Sequence, residues 1–316
     1  MTRSKIDNIR IDEIADKVLL IHQIKASGPF TRCDGLLILP KEDRNSKTVV
    51  LDLNVEPKCI KSINEVYGPV SEYVCSHGHM DHITHVYMWE RFGANIYGFI
   101  PEANYLLNLY NLFEGFGFNE AMDFSIIEKF AELNKYHECN NVIPIKPGSK
   151  LKFENFKIET IPFQGHSLAN VGFYLPVERI LHIGCLGFDL SKLNSEGFGP
   201  WYGFKQCSIL QYLKDIDFAE SLYLRKADFL TSSHGYVVKN PDRSPFDYMR
   251  KKIESNKLKI DQALKSLNPP LKSEEETVKK LLKMDIFFPK RNMSGFMLEI
   301  YTFWEYWIIK NHIQLI

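Results

Sequence analysis

Within Ser76-His77-Gly78-His79-Met80-Asp81-His82 the chain sets three imidazoles and one carboxylate side by side. The chemistry these side chains share is metal ligation. Histidine and carboxylate form the borderline donor set for zinc, and also for iron or manganese. The cluster follows an apolar run, Tyr73-Val74-Cys75. A regular strand would send alternate side chains to opposite faces, so four converging ligands call for a loop at a strand end. The competing reading is a surface loop rich in histidine; with ten histidines in 316 residues, so dense a cluster is an uncommon accident.

Three later positions repeat the pattern of an apolar strand ending in a possible ligand. They are His166 in Gln164-Gly165-His166-Ser167, Cys185 in Ile183-Gly184-Cys185-Leu186 and His234 in Ser232-Ser233-His234-Gly235. Short loops at one rim of a sheet bring such distant residues together.

The elements that must position them can be read in outline. Apolar runs at 18–21, 35–39 and 48–52 predict three strands of a meander, preceded by a polar edge strand or arm over 1–17. No Gly-rich phosphate loop follows any of them, which argues against a dinucleotide-binding βαβ start. A short helix over 57–66 leads to a strand at 70–75 that delivers the histidine loop, and the pattern from Asp81 to Phe92 is helical. After a strand at 95–99, two helices fill 101–137, broken at Gly115-Phe116-Gly117; this aromatic segment lies outside the sheet and walls or covers the site. Strands at 142–145, 150–153, 157–161, 172–175, 179–183 and 228–231 and a helix over 206–226 complete the first part. Residues 1–243 then form one domain. Residues 244–316 form a helical extension, with helices over 245–267, after the capping sequence Ser273-Glu274-Glu275-Glu276, and over 296–315.

Bulk properties narrow the function. The chain is 45% hydrophobic and 25% charged, with 39 basic and 39 acidic residues and no net charge. That is ordinary for a globular enzyme and advertises neither nucleic acid nor an anionic membrane. No stretch reaches the ~18 apolar residues of a membrane span, and the first residues lack the apolar core of a signal peptide. Six scattered cysteines without CxxC spacing read as reduced thiols of a cytoplasmic protein.

The HxHxDH loop, followed in order by Gly-His-Ser, a strand ending in Gly-Cys, and Ser-His-Gly, resembles the metallo-β-lactamase superfamily over residues 15–240. The resemblance implies an αββα sandwich, an α/β fold with its metals at the sheet edge. It implies one metal on His77, His79 and His166 and a second on Asp81, His82 and His234, with Asp81 and His82 in catalytic roles and a metal-bound hydroxide as nucleophile. Asp52, at a strand end, matches an acidic residue behind the ligands. The departure is Cys185, where most hydrolases of the superfamily carry a bridging aspartate; Asp189 is too far along the chain to substitute. Cys185 is either a thiolate ligand, as in a class of zinc β-lactamases, or the mark of a weakened second site, or a buried structural thiol.

His182 is either hydrogen-bonded to a ligand or a core histidine. Trp201, Tyr202 and Phe204 either line the substrate pocket or pack their own loop. His85 reads as a helix-face residue, and His22, His137 and His312 carry no assignment. The expected function is a hydrolase with one or two Zn2+ ions, Fe or Mn being the alternatives, acting on a small carbonyl substrate such as a thioester, ester or lactone. A lactam hydrolase, an RNA-processing nuclease and a non-catalytic binding protein are the competing readings. No nucleic-acid or membrane partner is expected. The aromatic C-terminal helix has two places to pack, the main domain or a second subunit.

Overall fold

The computed structural model describes residues 6–40, 47–153, 156–187, 200–235, 237–267 and 273–315. The chain opens with an antiparallel meander, β1 (Ile9–Ala15), β2 (Val18–Gln23), β3 (Gly35–Ile38) and β4 (Thr48–Leu51). Helix α1 (Pro57–Tyr67) starts on a proline, whose fixed φ suits a first helical turn, and buries Cys59, Ile60 and Ile63 on one face. It crosses over to β5 (Val70–Val74), which pairs parallel with β4. Short helices α2 (Met80–Ile83) and α3 (Val86–Arg91) lead to β6 (Asn95–Phe99), and α4 (Leu109–Gly115) and α5 (Phe124–Leu133) to β7 (Ile143–Ile145), again in parallel. The meander expected from the sequence is these first four strands, and the rest of the sheet is parallel. Parallel neighbours need long crossovers, and the helical segments over 57–137 are those crossovers.

The second sheet takes β8 (Lys150–Phe153), β9 (Phe156–Pro162), β10 (Val171–Leu175), β11 (Ile180–His182), β12 (Phe229–Thr231) and β13 (Val237–Lys239), in spatial order β13-β12-β11-β10-β9-β8. Helix α6 (Ile209–Lys226), capped by the Ser208 hydroxyl accepting from Gln211 N, connects the parallel pair β11 and β12. The three-residue β13 was not anticipated, being too short to show a period.

Strand alternation builds the layers. Val18, Leu20, Leu36, Ile38, Val49, Leu51 and Val74 meet Ile158, Val171, Phe173, Leu175 and Ile180 between the sheets. Their neighbours Leu19, Ile21, Leu37, Val50 and Tyr73 point the other way, into the core shared with the helices. Strands buried on both faces explain the unbroken apolar runs in the sequence. Beyond β13 come α7 (Ser244–Lys265), α8 (Glu274–Leu281) and α9 (Gly295–Ile313). The predicted cap of α8 is present, Ser273 Oγ accepting from Glu276 N. Helix α9 packs on the main body: Phe303 stacks near Phe118 and Trp304 against Phe30 and Trp201.

Candidate metal centre

Five strand ends converge at one edge of the two sheets. β4 ends at Asp52, β5 at the 76–82 loop, β9 before His166, β11 before Cys185 and β12 before His234. Two glycines make the convergence possible. A Cβ on Gly165 would lie 2.2 Å from Tyr212 N, so only glycine lets His166 sit against the start of α6. Gly184, at φ +54°, turns the chain into Cys185.

His77, His79 and His166 form the first group. Their ring centroids are 4.4 to 4.9 Å apart. His166 Nδ1 donates to the Trp201 carbonyl at 2.9 Å, which fixes the proton there and leaves the Nε2 lone pair free. That Nε2 faces His77 Nε2 at 3.1 Å, while His79 Nε2 is buried with no hydrogen-bond partner. Burial and the neighbouring imidazoles hold His77 and His79 well below 6.5, and burial takes His166 down to about 3. His77 and His166 thus bring neutral imidazole nitrogens to one place with Cys185, while the His79 ring packs beside them with its Nε2 unpartnered, a donor set that suits a divalent cation once that nitrogen turns to it.

Asp81, His82 and His234 form the second group, with Cys185 between them. Cys185 Sγ is 2.9 Å from His82 Nε2 and 2.9 Å from His234 Nε2. Asp81 Oδ2 is 3.6 Å from His82 Nε2 and 3.7 Å from His234 Nε2. These four could hold one ion, and Cys185 also groups with His77 and His166, so its sulfur stands between the two sets. Burial pushes the Cys185 thiol up to about 12.

Behind the ligands lies a buried hydrogen-bond frame. Asp52, in the left-handed region at φ 58°, accepts from Ser76 N at 2.8 Å, His82 Nδ1 at 2.9 Å and Ser233 Oγ at 2.9 Å. Burial opposes both charges of the Asp52–His82 pair, yet their attraction prevails: Asp52 stays below its ordinary range and His82 well above. Glu102, which no sequence pattern marked, accepts from Gly78 N at 2.8 Å, Ala169 N at 3.1 Å and Ser167 Oγ at 3.2 Å. It ties the 76–82 loop to the His166 loop.

His182 and Tyr202 each had two readings from the sequence, and their contacts fit the packing one. His182 touches no ligand; its ring nitrogens meet Thr231 Oγ1 and Ser233 Oγ, one step behind Asp52. Tyr202 does not line the pocket. It is fully buried, its hydroxyl between His312 Nε2 at 2.7 Å and Asn256 Nδ2 at 2.9 Å, because the C-terminal helices cover it. Trp201 and Phe204 do line the pocket. His85 is buried outside the groups and Asp189 lies outside the described residues. His22, unassigned from sequence, bridges Asp12 and Asp34 at 2.9 Å each on the pocket wall.

Of the candidate ligands, His79, Asp81, His166, Cys185 and His234 line a cavity of about 550 Å³. Neither a family model nor a curated protein matches the chain. Solved structures do. A metallo-β-lactamase family protein of Thermus thermophilus superposes with TM-score 0.66 at 15% identity, over 96% of this chain and 94% of that one. A β-lactamase domain protein of Burkholderia ambifaria gives 0.65 at 15% identity, over 96% and 88%. This is the metallo-β-lactamase fold. The DIM-1 metallo-β-lactamase superposes over only 79% of this chain, with TM-score 0.52 at 16% identity. The first two superpositions therefore take in the C-terminal helices, which add Tyr248 and Trp304 to the pocket of this metallo-β-lactamase fold.

Proposed function

We propose that the chain is a metal-dependent hydrolase of a small carbonyl substrate, a thioester, ester or lactone. The observation that carries this reading is the meeting of two candidate ligand groups at Cys185 on the floor of a pocket. His77, His79 and His166 would hold one ion. Asp81, His82 and His234 would hold a second, with Cys185 reaching both. Two imidazole sets and a thiolate favour zinc over harder ions. A bound zinc ion supplies Lewis-acid chemistry, polarising an oxygen and lowering the pKa of water to about 7.

The protein's own groups do the rest. Asp52 and the Trp201 carbonyl fix the tautomers of His82 and His166, so both rings turn Nε2 toward the site. Asp81, lining the pocket, turns Oδ2 to His82 and His234, the oxygen with which it would hold the second ion, so its other oxygen is the one left to take up a proton. Among the described residues no helix is long and apolar enough to cross a membrane, and all six cysteines are free and buried. We take the protein to work in a reducing compartment, the cytoplasm, on a small molecule rather than nucleic acid.

Metal analysis of purified protein, run beside thioester, lactone, β-lactam and phosphodiester substrates, tests the reading. Two equivalents of metal and turnover of one carbonyl class are expected, abolished by His79→Ala with little loss of fold. Full activity in His79→Ala would exclude this mechanism, and cleavage of phosphodiesters alone would move the protein to the nuclease class.

A further inference from the structure

We infer that the pocket is built for an apolar acyl chain, making the substrate a medium-chain acyl thioester, ester or lactone. The bond cleaved rests on the hydrolase reading above; the chain site rests on the pocket wall alone. The wall begins at the metal centre. The His79 ring is 4.8 Å from Phe204 and 5.2 Å from Phe116. From Phe204 the rings continue to Trp304 at 6.4 Å, from Trp304 to Phe30 at 5.4 Å, and from Phe30 to Phe130 at 5.5 Å. All of them line the same cavity.

The rings come from four separate parts of the chain: the loop after β2, the crossover over 101–137, the stretch before α6, and α9. Away from the candidate ligands and from Ser233 and Tyr248, the polar lining, with Arg10, His22, Arg32 and Asp34, comes from the first strands and the β2–β3 loop. Arg32 is occupied there by the carbonyl oxygens of Gln23 and Ile24.

Such a continuous aromatic track discriminates by chemistry. Hydroxyls, phosphates or amides laid along it would be desolvated with few partners, at a cost of about 1–3 kcal/mol each. Methylenes gain there, about fourfold in affinity per buried CH2. Because the track starts beside His79, a carbonyl at the ligand cluster can extend its chain along Phe204 and Trp304 towards Phe30. Hydrolysis then adds water across the acyl–sulfur or acyl–oxygen bond. The products are the fatty carboxylate, a proton and the free thiol or alcohol.

The test uses the full-length zinc-loaded protein with butyryl, hexanoyl and octanoyl thioesters of one common thiol. In parallel, butyrate and octanoate binding is measured by calorimetry. The carboxylate head is common to both acids, so their difference reports the chain alone. We expect kcat/KM to rise about fourfold per methylene and octanoate, four methylenes longer, to bind on the order of 100-fold tighter than butyrate. Both gradients should flatten in Trp304→Ala. If that variant fails to fold, Phe30→Ala, at a half-buried position further along the track, makes the same measurement. Equal binding of the two acids by the wild type, with chain-independent hydrolysis, overturns the acyl site and leaves the hydrolase reading standing. A clear binding gradient without hydrolysis of any thioester, ester or lactone does the reverse.

Discussion

In the proposed metal centre, Cys185 is the residue on which the number of ions turns. Its sulfur is 2.9 Å from one ring nitrogen of His82 and of His234, and it also groups with His77 and His166. A purely structural thiol would have apolar neighbours instead. With its pKa pushed up to about 12 by burial, the thiol keeps its proton until a cation displaces it, so metal binding releases a proton. Cys185→Ala should weaken binding of the second ion by on the order of tenfold or more, read as metal content after dialysis. Unchanged stoichiometry and affinity would return Cys185 to the structural reading. Asp52 offers a cleaner comparison. Its left-handed backbone conformation is one asparagine also tolerates, so Asp52→Asn removes the charge without disturbing the turn. It should lower metal affinity by about 10–100-fold, measured by competition with a chromogenic chelator. Asp52 could be suspected in the sequence because it ends an apolar run. Glu102 could not: its partners Gly78, Ser167 and Ala169 lie 24 to 67 positions away, and nothing in Pro101-Glu102-Ala103 marks it.

At the level of elements, the C-terminal helices reach the metal ligands through one peptide segment. Asn311 of α9 donates from Nδ2 to the Tyr202 carbonyl at 3.2 Å and accepts from Ile209 N at 3.3 Å. The adjacent Trp201 carbonyl is the group that fixes His166. Asn311→Ala strands a buried carbonyl and a buried amide, which costs about 1–3 kcal/mol for each group left unmade. The variant should therefore melt earlier in urea and also bind metal more weakly at the His77–His79–His166 group. Lost stability with intact metal affinity would show that α9 supports the fold without positioning the ligand. The sequence made α9 legible as a helix, because Phe303, Trp304, Trp307, Ile308 and Ile309 form a long apolar run. Its packing was not legible, since a helix apolar on most faces does not say which face meets the body. The parallel half of the first sheet was hidden for a related reason: short apolar strands look alike whatever their partner, and only the crossovers reveal direction.

Taken as a whole, the molecule buries an unusual store of neutral histidine, and this gives it a pH signature. Burial lowers His166 to about 3 and His85, His182 and His312 to about 4, while His77, His79 and His234 lie well below 6.5. Unfolded, each titrates near 6.5. Between about pH 6.5 and about pH 4 the unfolded chain therefore binds more protons at these sites than the native one, and stability must fall as pH falls. Each fully shifted histidine contributes up to about 1.4 kcal/mol per pH unit. Asp34, Asp81, Glu102 and Asp215 are raised by burial and act with the opposite sign, but they are fewer. His82 is raised, so it is protonated in both states over this window and is silent; the stability it brings is lost only as pH rises through its folded pKa. The metal-free protein should thus lose several kcal/mol of unfolding free energy between about pH 7 and about pH 5, measured by urea denaturation in chelator. With zinc the fall should be steeper, because binding also displaces the protons that the metal-free native state holds on the Cys185 thiol and on His82. If instead the zinc-loaded and chelated proteins showed the same acid slope, neither Cys185 nor His82 would be a metal ligand, and the Asp81–His82–His234 group would belong to a fold that had kept its shape without its second ion.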